Sequence, residues 1–181
     1  MDKQTALIIV SVFGYLVFAA QILIGLFLLI FIGARLSPKN RLFNLTLKFL
    51  SENSLTFAFF VALVAMFGSL FFSEIAHFIP CKLCWYQRIC MYPQVLLLGL
   101  ATFKNDFGIK RYILPLSIIG LIIAIYHYAL QMSPIPLPCS DEVANCALKQ
   151  VAYLGYITIP LMSATAFVMI IILMLTIKKK K

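Results

Sequence analysis

Charge is scarce in this sequence. Only 12% of its residues are Asp, Glu, Lys or Arg, against about 25% in soluble domains. Hydrophobic residues make up 63%, where soluble chains have about 45–50%, so a soluble domain with a large core is excluded. A basic stretch ahead of the first apolar run is also missing, and that run, residues 6–34, is too long for a signal-peptide core. A retained transmembrane helix is expected there, with cleavage as the alternative. Polar residues inside the apolar segments are few, which argues against a transport path. No internal repeat is visible.

What the chain does have is a series of apolar runs near or above the ~20 residues that cross a bilayer. After residues 6–34 come runs from about Leu55 to Ile75, Trp85 to Phe103, Tyr112 to Gln131 and Val151 to Ile177. The expected fold is therefore an all-α integral membrane protein, a four-helix transmembrane bundle preceded by one additional N-terminal transmembrane helix. Its expected division is 1–53, an N-terminal span with a basic cytoplasmic segment, and 54–181, the bundle. Between Arg35 and Asn53, Leu42, Leu45 and Phe49 recur at helical spacing, which fits a short interfacial amphipathic helix or a plain basic loop. Pro93 is expected to kink the third span, and Pro160 lies inside the last.

The net charge of +9 invites a nucleic-acid reading. The basic residues gather at the ends of the apolar runs instead, which is the signature of membrane orientation. With the Lys178–Lys181 tail in the cytoplasm and five spans, 11 of the 15 basic residues fall on that side: the tail, Arg35, Lys39, Arg41, Lys48, Lys104, Lys110 and Arg111. No nucleic-acid partner is expected. The turn around Cys81 and the loop Ser133–Gln150 then face outward, where disulfides persist.

Four of the five cysteines form two close pairs by position, Cys81 with Cys84 and Cys139 with Cys146, each in one of those outward connections. Cys81-Lys82-Leu83-Cys84 is a dithiol at a membrane surface, and exchange through such a pair proceeds by the thiolate. With a helix starting near Trp85, its positive end and Arg88 should lower the Cys84 pKa. The bland alternatives are a static disulfide or half of a zinc site. Cys139 and Cys146 lie in a loop held extended by Pro134, Pro136 and Pro138; alone they would read as a stabilising disulfide, but two pairs on one side make a relay. A four-cysteine zinc site is the chemical rival, although its second spacing, C-x₆-C, departs from ordinary ligand spacing. Metal is therefore not expected.

Arg88 could snorkel to headgroups or donate hydrogen bonds to a quinone carbonyl and stabilise its negative charge on reduction. Trp85 and Tyr86 read as interfacial aromatics. His127 and Gln131, one turn apart near the outer end of the fourth span, could serve a proton route to a quinone or a helix–helix hydrogen bond. Cys90, 240° around the helix from Cys84, should be a buried free thiol.

Phe72-Ser73-Glu74-Ile75, Pro80-Cys81-Lys82-Leu83-Cys84-Trp85-Tyr86-Gln87-Arg88, Met91-Tyr92-Pro93, His127 with Gln131, the Cys139/Cys146 loop and Gly155-Tyr156-Ile157-Thr158-Ile159-Pro160 together resemble the DsbB/BdbC family, the BdbC-like branch in particular. The resemblance covers roughly residues 55–177. It implies a thiol:quinone oxidoreductase of the bacterial cytoplasmic membrane that reoxidises a DsbA-like, thioredoxin-fold thiol oxidase. By that resemblance Cys139 and Cys146 form one disulfide and Cys81 and Cys84 the other. Cys139 would meet the partner, Cys146 would exchange with Cys81, and Cys84 would reduce a ubiquinone or menaquinone held by Arg88, with His127 and Gln131 nearby. Residues 1–53 depart from the family pattern. Five spans also resemble bacterial vitamin K epoxide reductase relatives, but there the loop cysteines precede the Cys-x-x-Cys pair, the reverse of the order here.

Overall fold

A bilayer offers no partner to backbone N–H and C=O groups, so apolar runs of this length close their hydrogen bonds within helices. The computed structural model describes residues 3–36, 41–133 and 146–177. Its helices are α1 (Lys3–Leu36), α2 (Arg41–Leu70), α3 (Lys82–Lys104), α4 (Lys110–Met132) and α5 (Ile159–Thr176). A π turn, Phe71–Ile75, extends α2, and a 3₁₀ turn, Phe107–Ile109, leads into α4. Among the described residues there is no β-strand, only an isolated bridge between Tyr153 and Ile157. The all-α membrane architecture expected from the sequence is the one observed.

Among the described residues, four segments are long and apolar enough to cross a membrane: Ser11–Gly33, Leu45–Ile75, Phe107–Met132 and Ile159–Thr176. α3, at 23 residues, is roughly 34 Å long and can span as well, but it carries Gln87, Arg88 and Gln94. Helices α2 and α4 each pack against both α3 and α5, closing a four-helix bundle, and α1 rests outside it on α2 and α5.

Three boundaries differ from expectation. The basic segment before Leu55 is neither a separate interfacial helix nor a loop, because α2 starts at Arg41 and runs unbroken into the second span. The Lys48–Glu52 pair, 3.9 Å apart at i,i+4, supports that extension. α3 starts at Lys82, three residues earlier than Trp85. α5 starts only at Ile159, so Pro160 sits in its first turn, where the missing N–H costs nothing, rather than inside the span. Ahead of it the chain doubles back: Leu154 and Gly155 have φ of 52° and 78°, and Tyr153 and Ile157 exchange two backbone hydrogen bonds of 2.9 Å. The prolines Pro134, Pro136 and Pro138 and the Lys178–Lys181 tail lie outside the described residues.

In lipid, helices associate through close packing and a few polar contacts rather than by expelling water. The core matches that logic. Ala58, Ala62 and Ala124 are fully buried and let backbones approach. Gly120 faces the ring of Phe167, which a Cβ would strike. A buried polar bridge ties α3 to α4: Ser117 Oγ donates to Gln94 Oε1 (2.8 Å), and Gln94 Nε2 donates to the Cys90 carbonyl (2.9 Å). Cys90 is a buried free thiol within this core.

The contact of Gly120 with Phe167 should control bundle stability. Gly120→Leu is expected to destabilise the protein by about 1–3 kcal/mol, the usual cost of overpacking, read as a lower unfolding midpoint in detergent. Combined with Phe167→Ala it should cost less than the two single changes summed; strict additivity would show that the two sites do not interact.

Candidate active site

The site is assembled at the end of the bundle where α2 gives way to α3. The π turn closes with Ala76 N–H donating to the Phe71 carbonyl (2.9 Å). Then His77, at φ 56°, turns the backbone into the left-handed region, and the chain continues to Pro80 and Cys81. Cys81 is the N-cap of α3, with extended backbone, so it sits at the positive end of the helix dipole. The expectation had put Cys84 there; with α3 starting at Lys82, Cys84 falls within the first turn instead. The two Sγ atoms are 3.4 Å apart, both thiols are free, and a bond of ~2.0 Å needs only side-chain motion.

His127, buried on α4, joins this turn to the segment after the second cysteine pair. Gln87 Nε2 lies 3.1 Å from His127 Nδ1 and can only donate, so Nδ1 accepts and the ring proton sits on Nε2. Nε2 in turn lies 3.2 Å from the Cys146 carbonyl and 3.7 Å from Cys81 Sγ. One imidazole thus touches α3, the Cys81 sulfur and the Cys146 backbone. Gln131 Nε2 donates to the Leu148 carbonyl (3.2 Å) and Gln150 Nε2 to the Ile79 carbonyl (3.2 Å), holding the same segment from both sides. Cys146 is buried and disulfide-bonded; Cys139 lies outside the described residues.

The Cys81 thiol lies in the turn ahead of the span. The neighbouring Cys84 thiol, hydrogen-bonding to its sulfur, draws its pKa down to about 4, assisted by His127 and opposed by burial. Cys81 is therefore the thiolate of the pair, poised as nucleophile or leaving group.

Cys84 faces a different environment. Together with Arg88, Gln87, Met91 and Tyr92 it lines a cavity of about 370 Å³ bounded mostly by apolar side chains of α1, α2 and α5. Arg88 is fixed at its edge: Nε donates to Ser69 Oγ (2.9 Å) and an Nη to the Ser69 carbonyl (3.0 Å), and its guanidinium lies 5.2 Å from the Trp85 ring centre. An arginine carries five N–H donors, so donors remain for a ligand. Trp85 and Tyr86 are about half exposed, at 53% and 51%, and line none of this cavity, in keeping with interfacial aromatics. His127 and Gln131 do not line it either; they serve the cysteine end. Ser69 and Gln87 escaped the sequence reading, although a glutamine in a span next to the cysteine motif was a signal. Cys81, Cys84 and His127 also place three metal-capable atoms within 4.8 Å of one another.

The sequence model of "Disulfide bond formation protein DsbB" matches residues 51–177. The chain belongs to the DsbB family. It is 52% identical over 124 residues to disulfide bond formation protein C of Bacillus subtilis, covering 67% of this chain and 89% of that one. To the SPbeta prophage-derived disulfide bond formation protein B of the same organism it is 47% identical, over 68% of this chain and 85% of that one. A probable disulfide formation protein C of Halalkalibacterium halodurans is 42% identical over 72% and 96%. No solved structure matches this chain. The family match excludes α1 and includes every cysteine.

In the reduced protein the Cys81 thiolate, followed by its ultraviolet absorbance, should persist as the pH is lowered until about 4. Cys84→Ala should move that midpoint upward, because the main donor to the thiolate is lost, and His127→Leu should move it upward by less. A wild-type midpoint in the ordinary thiol range would contradict this assignment.

Proposed function

We propose that this DsbB-family membrane protein is a thiol:quinone oxidoreductase that supports disulfide formation in exported proteins by reoxidising a DsbA-like, thioredoxin-fold thiol oxidase. The observation that carries the reading is the two-sided Cys-x-x-Cys turn. Cys81 shares His127 with the Cys146 backbone, while Cys84 opens onto an apolar cavity edged by a fixed arginine. Both cysteine pairs face outward and the C-terminus lies in the cytoplasm, as the basic residues suggest.

The electron balance runs as a chain of exchanges. A partner thiolate attacks Cys139, and Cys146 leaves as thiolate. Cys146 attacks Cys81 in the Cys81–Cys84 disulfide, and Cys84 leaves. The partner's second thiolate closes the partner disulfide and frees Cys139, which resolves the Cys146–Cys81 bond and restores the loop disulfide. Two electrons now rest on Cys81 and Cys84. Free Cys81 and Cys84 beside a disulfide-bonded Cys146 is the state in which this sequence ends. The low pKa of Cys81 makes it a good leaving group for that last exchange.

The cavity fits a quinone head: mostly apolar walls, an arginine with unused donors, and a thiol at its edge. A quinone, ubiquinone or menaquinone, supplies a two-electron, two-proton acceptor when bound. Arg88 then orients a carbonyl and holds positive charge beside it. Ser69 keeps the guanidinium in place. As the Cys81–Cys84 disulfide re-forms, the Cys81 thiolate and the Cys84 thiol would give up two electrons and the Cys84 proton, with the second proton coming from water.

With purified protein, a quinone and a reduced thioredoxin-fold dithiol protein, Cys84→Ser should abolish quinone reduction; unchanged turnover would sink the relay. Arg88→Ala should raise the apparent KM for quinone roughly 10- to 100-fold, the value of a hydrogen bond to a charged group, without changing that for the dithiol protein.

A second reading, a membrane scaffold holding zinc, has one observation in its favour: the Cys81, Cys84 and His127 donor cluster. One tightly held zinc per chain, lost in Cys81→Ser, with no quinone reduction by the wild type, would establish it in place of the relay.

A further inference from the structure

The helix outside the family match forms one wall of the cavity. Phe13, Leu16, Val17 and Ala20 of α1 line it from the side opposite Cys84 and Arg88, over the groove between α2 and α5. Every polar donor at the cavity comes from the bundle and its loops, and α1 offers hydrocarbon alone. Without α1 the groove beside Cys84 would open to lipid.

Contacts at three places hold α1, at Phe13, at Gly14 and Tyr15, and at Gln21, and they bracket Leu16, Val17 and Ala20. On one side of Leu16, the Phe13 ring packs 5.5 Å from Phe72 and 6.0 Å from Phe71. Gly14 lies flat against the Tyr153 ring, where a Cβ would come within 2.5 Å, and Tyr15 meets the same ring edge-on at 5.0 Å. On the other side, Gln21 accepts a hydrogen bond from Tyr156 Oη (3.0 Å) and donates to Thr165 Oγ1 (3.5 Å). A polar side chain in a span is satisfied by neighbouring helices when the helix sits in one place. The stretch from Leu16 to Ala20 is thereby held against the cavity that Arg88 also lines.

We propose that α1 is the lipid-side wall of the acceptor site and that Val17 and Ala20 set which quinone ring the cavity admits. The proposal rests on the quinone reading above and adds to it a selectivity element lying outside the DsbB match. As wall side chains they would act on the ring and the start of its isoprenoid tail, not on the carbonyl held by Arg88.

The test uses the full chain in lipid nanodiscs and measures binding rather than turnover. The probes are a single-ring benzoquinone and a fused-ring naphthoquinone with equal tails. Binding is read from quenching of Trp85, the sole tryptophan. Ala20→Phe should weaken the naphthoquinone by about tenfold or more, and the benzoquinone less, since filling a packed site costs about 1–3 kcal/mol. Val17→Ala, which enlarges the cavity and needs no rearrangement to fold, should shift the preference toward the larger ring. Leu29→Phe, at a lipid-exposed position, should bind both quinones as the wild type does. Disulfide exchange with the dithiol protein in the absence of quinone should be unchanged in Leu29→Phe. If Arg88→Ala loses quinone while Ala20→Phe and Val17→Ala bind both rings like the wild type, α1 is not the selectivity wall. If the wild type binds neither quinone, the quinone reading itself falls, and this inference falls with it.

Discussion

A single buried imidazole on α4 ties α3 and its N-cap to the segment after α4. His127 accepts from Gln87 on α3 and presents its other nitrogen to the Cys146 carbonyl and the Cys81 sulfur. In a low-dielectric setting a buried ring nitrogen without a partner is costly, so these contacts hold or fail together. Losing Gln87 would free the tautomer; losing the Cys146 carbonyl would leave the N–H facing sulfur alone. The Cys81 turn and the segment after α4 meet at one ring nitrogen.

Arg88 is placed by similar means on the other face of α3. Ser69 lies at the end of α2, just before the π turn, and both its hydroxyl and its carbonyl receive the guanidinium. π turns often mark functional sites because they interrupt the regular helical pairing of backbone groups. Here the widened turn adjoins the carbonyl that holds the arginine. The same turn carries Phe71 and Phe72, against which Phe13 of α1 packs. Arginine geometry and the seating of the first helix therefore share one irregular stretch of α2.

The spans, their number and the gathering of Cys81, Cys84 and Arg88 were legible because they depend on local pattern: apolar run length and residue spacing. The continuous α2 was not, since charged residues around Lys48 look like a helix end until the i,i+4 pair with Glu52 is seen. The late start of α5 was hidden because Val151–Ile157 is as apolar as a span, and only the left-handed backbone at Leu154 and Gly155 betrays the turn. His127 was legible as a polar residue in a costly place, but whether it served the cavity or the cysteines depends on helix rotation. Gly14 and Gln21 carry no local signal of a contact. Their roles follow from Tyr153, Tyr156 and Thr165, more than a hundred residues away, which no local pattern can connect.

Cys81 is only 5% exposed. A freely diffusing small thiol therefore has no broad approach to the inner dithiol, whereas the Cys146 backbone is already hydrogen-bonded to the same imidazole. Under the proposed relay this burial works as insulation. It keeps stray reductants from short-circuiting the path to the membrane, so that current drawn by the acceptor is current delivered by the cognate protein. Fidelity of that kind comes from wiring rather than from driving force, and it would hold whatever the potential difference between the two cysteine pairs.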